Sequence, residues 1–264
     1  MEYIIALILG TLQGLTEFLP VSSSGHLILA QHFLDYKEFG GLTFEVFLHF
    51  GSLCAVCIWY RKDIQSLILS LIYWQNKEYQ TSRHICLWLL LATLLTGMIG
   101  FGFKLCFPEL TNPLLVCILI GVTGFIIFYS DTLTKGSLQS SQLGAKKSLF
   151  IGFAQGIAIL PGISRSGATI MCSLRMGLDR EQAARFSFLL SIPAIIGANI
   201  SEFKALTCLD QTQFASYIIG FLAAFVSGLL VIKLLIELIK KARLRYFSYY
   251  CWSVAVVSCY FIIF

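Results

Sequence analysis

The sequence predicts an all-α polytopic membrane protein with an inverted-topology repeat, each half a re-entrant helical hairpin plus three transmembrane helices. Three observations carry this expectation. The 264 residues are 57% hydrophobic and only 12% charged, a balance that soluble domains of this size do not approach. Six apolar runs suit a hydrocarbon core about 30 Å thick. A polar motif also occurs twice: Gln13-Gly14 followed by Ser22, Ser24 and Gly25 returns as Gln155-Gly156 followed by Ser164, Ser166 and Gly167, each residue 142 positions later.

In chain order, the amino end carries Glu2 rather than a basic stretch and no small-residue cleavage pattern follows it, so a cleavable signal peptide is not expected. Residues 3–34 are apolar at both ends with Pro20 and a Ser/Gly turn between, which suits a re-entrant hairpin. Spans at about 44–60, 85–103 and 114–129 complete a first half, residues 1–129. The apolar but short stretch 64–74 suits the cytoplasmic interface. Residues 130–147, rich in Ser, Gly and Lys, read as a cytoplasmic linker. The second half, 148–264, repeats the plan with a hairpin at 149–176 and spans at 183–200, 214–239 and 247–264.

Basic residues cluster at Arg61, Lys62, Lys77 and Arg83, at Lys135, Lys146 and Lys147, and at Lys240, Lys241, Arg243 and Arg245. Such connections face the cytoplasm, and the loops 104–112 and 201–213 then lie outside. Three spans separate the hairpins, so the second copy is upside down relative to the first and both breaks can meet inside the bilayer. Gly10 and Gly152, and Phe44 and Phe186, keep the same offset, whereas Pro20 and Pro161 have drifted by one position. The nine cysteines lie mostly in apolar segments, where thiols behave as small hydrophobes. Cys54 and Cys57 read as packing rather than a metal or redox pair, and the proximity of Cys106 and Cys208 does not follow from sequence.

The chemistry gathers at the breaks. In the first, Gln13 and Glu17 share a helix face four residues apart, Pro20 ends that helix, and Ser22, Ser23 or Ser24 can cap the next. A half-helix start favours an anion. A carboxylate deep in an apolar segment requires a cation, a metal or a proton, unless it reaches water at the interface. In the second break, Arg165 stands among the Ser164, Ser166 and Thr169 hydroxyls, a setting whose geometry suits phosphate. An internal ion pair with Glu17 is the alternative. His26 beside Ser23 could act as general base or nucleophile, or make a purely structural hydrogen bond. Glu45 and His49, again four apart, fall where they could line an entrance. At the offset of 142, Ser23 corresponds to Arg165 and His26 to Ala168, so acid, imidazole and hydroxyl sit in one copy and the cation in the other.

With its motifs QGLTEFLPVSSSGH, from Gln13 to His26, and PGISRSGATI, from Pro161 to Ile170, the chain resembles the undecaprenyl-diphosphate phosphatase family. These are bacterial integral-membrane enzymes associated with bacitracin resistance. The segments FEVFLHFGS and FSFLLSIPA extend the resemblance over nearly the whole chain. The resemblance implies hydrolysis of undecaprenyl diphosphate to undecaprenyl phosphate and inorganic phosphate, recycling the lipid carrier for cell-wall synthesis. It further implies a multi-pass protein of the bacterial cytoplasmic membrane, a site open to the periplasm or exterior, and a divalent cation, Mg2+ or Ca2+. Carried over, Glu17, Ser23, His26 and Arg165 are the catalytic residues. Ser22, Ser24, Gly25, Ser164, Arg165, Ser166, Gly167 and Thr169 bind the substrate phosphates, and Glu17 and Gln13 hold the metal. Gln13 is a departure, since many members have glutamate there, leaving one carboxylate where they have two.

The expected partners are a polyprenyl diphosphate and membrane lipids, with a homodimer compatible and no nucleic acid. Inverted repeats with broken helices also build secondary transporters and flippases. A transporter of an anionic lipid or solute is therefore the rival reading, and the asymmetry of the two breaks argues against it.

Overall fold

The computed structural model describes residues 1–35, 42–106, 111–133, 136–206, 211–240 and 244–264. Lys135, Cys208, Lys241 and Arg243, together with residues 107–110 and 207–210 of the two expected outer loops, lie outside the described residues. The described chain is helical: α1 Glu2–Phe18, α2 Ser23–Phe33, α3 Leu42–Trp59, α4 Arg61–Ile72, α5 Gln80–Cys106, α6 Pro113–Thr132, α7 Gly144–Ile157, α8 Arg165–Arg175, α9 Arg180–Leu206, α10 Gln211–Lys240 and α11 Arg245–Ile263.

α5, α6, α9, α10 and α11 are long and apolar enough to cross a membrane, and α3 joins them if it and α4 count as one bent span. This is a multi-pass membrane protein. The axis turns by 81° between α3 and α4. The paired helices α1–α2 and α7–α8 are different. Their lengths of 17, 11, 14 and 11 residues fall short of the ~20 residues that a straight span requires, and within each pair the two helices pack on one another.

The surface and interior are arranged for lipid outside. Met98, Phe101, Phe125, Leu230 and Phe261 point outward from the long helices. Phe18, Phe44, Phe186 and Phe188 fill the interior, and Phe18 meets Phe188 edge-on at 5.7 Å between ring centroids. Hydroxyls and amides are buried with them, including Gln13, Ser52, Thr123, Gln155, Thr169 and Ser187. Many of these hydroxyls close onto a carbonyl of their own helix, as Thr93 does to Leu89 at 2.7 Å.

α1 lies along α10 and α3 lies beside it on α10; α7 lies along α5, and α6 pairs with α11. The duplicated glycines explain two of these contacts. A Cβ on Gly10 would stand 2.2 Å from the Gly220 carbonyl oxygen of α10, and one on Gly152 would stand 2.4 Å from the Ala92 carbonyl oxygen of α5. Backbones of membrane helices approach this closely only where a small residue permits it.

The segment between α6 and α7 does more than connect. Leu138 N–H donates to the Gly177 carbonyl at 3.0 Å and its own carbonyl receives Asp179 N–H at 3.2 Å. Ser140 donates to Gln182 at 2.8 Å and Trp88 Nε1 to the Ser141 carbonyl at 3.0 Å. These bonds dock it on the α8–α9 turn and on α5.

Gly10→Ala and Gly152→Ala should each destabilise the protein by about 1–3 kcal/mol, the usual effect of overpacking a tight contact. Gly97→Ala, where a Cβ would meet nothing within 4 Å, should not. Thermal unfolding in detergent measures this, and equal midpoints for all three variants would contradict the close helix crossings.

Candidate active site

The two breaks share a local design. Proline disfavours the helical region for the residue before it, and Leu19, ahead of Pro20, leaves α1 at φ −63° and ψ 142°. Ser22 then caps α2, its hydroxyl accepting the Gly25 N–H at 3.3 Å. Ser164 caps α8 in the same way, accepting the Gly167 N–H at 3.0 Å. The duplicated Ser-x-x-Gly is therefore a helix-capping spacing. The backbones differ in who carries the left-handed turn: Ser22 at φ 73° in the first copy, Gly162 at φ 102° in the second. For a serine that conformation is strained.

The breaks meet. Ser166 Oγ donates to the Leu19 carbonyl at 3.0 Å, and a Cβ on Gly25 would stand 3.0 Å from the Gly162 Cα. Thr123 of α6 braces the second break, accepting the Ser164 N–H at 2.9 Å and donating to the Gly162 carbonyl at 2.8 Å.

Glu17 lies at the junction, its side chain 4% exposed. Arg165 Nη2 reaches its Oε1 at 2.5 Å. Its Oε2 accepts from Ser23 Oγ at 2.6 Å and from Gln13 Nε2 at 2.9 Å, and His49 Nε2 lies 3.3 Å away. Four elements thus supply partners to one carboxylate, as burial in an apolar interior requires. The ion pair that sequence left as an alternative role for Arg165 is formed.

These groups open onto a cavity of about 270 Å³. Glu17, Ser23, Ser24, His49, Thr96, Gln155, Ser164 and Arg165 line its polar part, and Ile159, Ile163, Ala194 and Ile195 its apolar part. The lining brings a guanidinium and hydroxyls together with aliphatic side chains, the combination an amphiphile with a charged head would need.

The remaining candidates are placed as follows. Ser22, Gly25 and Gly167 belong to the caps, so the Gly25 and Gly167 amides are already bonded. Ser166 is spent on Leu19, and Thr169 bonds the Arg165 carbonyl at 2.8 Å and Ser187 Oγ at 2.6 Å. Gln13 Oε1 is buried without a hydrogen-bond partner. His26 is turned away from Glu17. Its Nδ1 meets the Ser22 carbonyl at 2.7 Å and its Nε2 the Tyr250 hydroxyl at 2.9 Å, with the two rings stacked. That is the structural hydrogen bonding left open above, and it braces the strained Ser22.

Three polar cavity residues escaped the sequence reading of the site. His49, expected near an entrance, contacts Glu17 itself. Gln155 bonds Thr96 Oγ1 at 3.2 Å and its Oε1 is buried without a partner, as is that of Gln13. The duplication of Gln13 as Gln155 was a signal that could have found it; Thr96 carried none.

The comparisons with known proteins agree along the whole chain. The family described as bacitracin resistance protein BacA matches residues 6–257. An undecaprenyl-diphosphatase of Methanobrevibacter smithii is 44% identical over 97% of this chain and 96% of its own. Proteins of the same name from Halothermothrix orenii, 42% identical over 97% of both chains, and Syntrophotalea carbinolica, 41% identical over 96% of both, are similar as well.

Removing one member of a buried ion pair strands the other, at a cost of about 3–5 kcal/mol where water is excluded. Glu17→Gln and Arg165→Gln should each lower stability toward that range, reduced by the partial exposure of the Arg165 side chain. The double variant should lose clearly less than the two losses added. Unfolding midpoints in detergent give the coupling, and strict additivity would mean that the pair contributes nothing.

Proposed function

The chain belongs to the bacitracin resistance protein BacA family, and from that membership and the geometry above we propose that it hydrolyses undecaprenyl diphosphate to undecaprenyl phosphate and inorganic phosphate. One observation carries the reading into this chain: a hydroxyl, a carboxylate and a guanidinium are joined at the edge of one mainly apolar cavity. Ser23 donates to Glu17 at 2.6 Å while Arg165 holds the other carboxylate oxygen.

In this reading the diphosphate sits at the junction of the breaks, with its lipid against Ile159, Ile163 and Ile195. Ser23 Oγ attacks the terminal phosphorus in line and its proton passes to Glu17 Oε2. The bond to the bridging oxygen breaks and undecaprenyl phosphate leaves. Water then takes the phosphoryl group from Ser23, and Glu17 returns the proton to the serine oxygen. Arg165 turns its fork to the transferring phosphate and stabilises the charge there, the main task in phosphoryl transfer. Ser23 is favoured over His26 as nucleophile because both ring nitrogens of His26 already have partners.

A divalent cation is part of the proposal. No group of three or more His, Cys, Asp or Glu side chains suited to a metal is gathered among the described residues. Magnesium, however, is commonly held by one or two carboxylates together with substrate phosphates and water. Glu17 and the unpartnered Oε1 of Gln13 are the oxygen donors that fit. When bound, the ion would neutralise phosphate charge.

The inverted repeat belongs to the same proposal. The seating of α1 on α10 is matched by that of α7 on α5, the two duplicated glycines serve the two crossings, and α6 and α11 pair with each other. With the hairpins read as re-entrant, residues 1–129 and 148–264 form opposed halves and the site opens to the exterior, as the basic connections suggest.

Purified protein should release phosphate from undecaprenyl diphosphate in detergent with Mg2+ or Ca2+ and slow markedly on chelation. A transporter would release none. Arg165→Ala and Ser23→Ala should lose nearly all turnover, on the order of 10³-fold or more as for removal of a nucleophile or charge clamp. Rapid quenching with labelled substrate should trap an acid-stable phosphoenzyme that Ser23→Ala cannot form. An acid-labile adduct would move the nucleophile to histidine, and near-normal turnover in Arg165→Ala would remove the assignment.

A further inference from the structure

His49 comes to Glu17 from α3, outside both breaks. Its Nδ1 lies 2.7 Å from the Glu45 carbonyl oxygen, one turn back on the same helix. A carbonyl oxygen only accepts, so Nδ1 carries a proton and the ring is fixed by its own helix. Nε2 then faces Glu17 Oε2 at 3.3 Å, with the histidine side chain 22% exposed at the cavity; an ionised carboxylate also only accepts, so donation to it needs a proton on Nε2 as well, and the ring that makes both contacts is the imidazolium.

The helix packing sets that distance. A Cβ on Gly51 would stand 2.4 Å from the Phe221 carbonyl oxygen, and one on Gly14 would stand 2.3 Å from that of Ala224. α3 and α1 are therefore both pressed onto α10, and Glu17 and His49 are brought face to face above it.

Oε2 is the oxygen to which Ser23 donates, while Oε1 is held by Arg165. To bind a phosphate, Arg165 must turn N–H groups away from Glu17. The carboxylate would then be free to follow the guanidinium and lose its line to Ser23. Gln13 also holds Oε2, at 2.9 Å, but from the same helix as Glu17, so it restrains the carboxylate only along that helix.

We propose that His49 is a positioning residue for phosphate transfer, an N–H donor from a second helix that keeps Glu17 Oε2 aimed at Ser23 while Arg165 engages the substrate. This rests on the reading of Ser23 as nucleophile and Glu17 as its base. Such a residue acts after the substrate is bound, so its loss lowers kcat more than it changes KM.

The test measures kcat and KM for phosphate release from undecaprenyl diphosphate by the native protein and by His49→Ala, His49→Leu and His49→Gln. Leucine fills the helix face without an N–H and stands in if the alanine variant does not fold. Both should lose about 10–100-fold in kcat, the usual effect of removing a group that orients a working residue, with KM within about threefold of native. Glutamine, which can still donate toward Oε2, should recover most of that loss. The inference is overturned if Ala or Leu keeps kcat within about twofold of native, if the loss falls on KM alone, or if Gln is as impaired as Leu. A native protein that releases no phosphate would instead remove the function proposed above, so the two failures are distinct.

Discussion

A single carboxylate buried in an apolar bundle constrains most of what surrounds it. Glu17 cannot remain charged in that setting without compensation, and its partners come from four separate elements: Gln13 on α1, Ser23 on α2, His49 on α3 and Arg165 on α8. Each of these helices must therefore stop, bend or approach at a fixed place. α1 must end just beyond Glu17, which Pro20 ensures. α8 must begin at Arg165, which the Ser164 cap ensures. α3 must lie close enough for an imidazole to reach, which the contact with α10 ensures.

The other described ion pairs stand elsewhere in the fold. Asp131 near the end of α6 receives Arg180 at the start of α9 at 3.1 Å and Arg245 at the start of α11 at 3.5 Å. Asp63 of α4 meets Arg185 of α9. Asp131 and Arg180 are as buried as Glu17 and Arg165, whereas Arg245, Arg185 and Asp63 are more exposed. The Glu17–Arg165 pair sits instead where two helices are interrupted, beside a cavity. What separates it from the equally buried Asp131–Arg180 pair is that cavity together with the Ser23 hydroxyl on the same carboxylate, on which the proposed chemistry rests.

How much of this was legible depends on whether the information is local. The breaks were, because proline, a capping serine and a glycine act within a few residues of themselves. Duplication made them conspicuous, Glu17 and Arg165 followed from the cost of charge in an apolar setting, and Ser23 was singled out by the resemblance of its motif. The orientation of His26 was not legible. Its ring is directed by Tyr250, 224 residues away, and nothing near His26 announces that partner. His49 was hidden for a related reason. Its spacing from Glu45 shows a shared helix face, but which way that face points is set by contacts of Gly51 and Gly14 with α10. The docking of the linker through Leu138 and Ser140 likewise depends on the α8–α9 turn, which the linker's polar composition does not encode.

The two copies are most alike where they build backbone and least alike at one position. Ser23 and Arg165 are each the first residue of the helix after a break, 142 positions apart, and both reach Glu17. Duplicated caps bring two equivalent first residues to the same carboxylate. Had both stayed serine, the carboxylate would lack this cation; had both been arginine, two like charges would crowd one acid and no hydroxyl would reach it. Divergence at that single matched pair gives a hydroxyl on one carboxylate oxygen and a guanidinium on the other. Glu17 has no acidic counterpart at Ile159, so in the proposed reaction one copy supplies the base, and the pair of helix starts supplies the hydroxyl it would act on and the charge that would hold the phosphate.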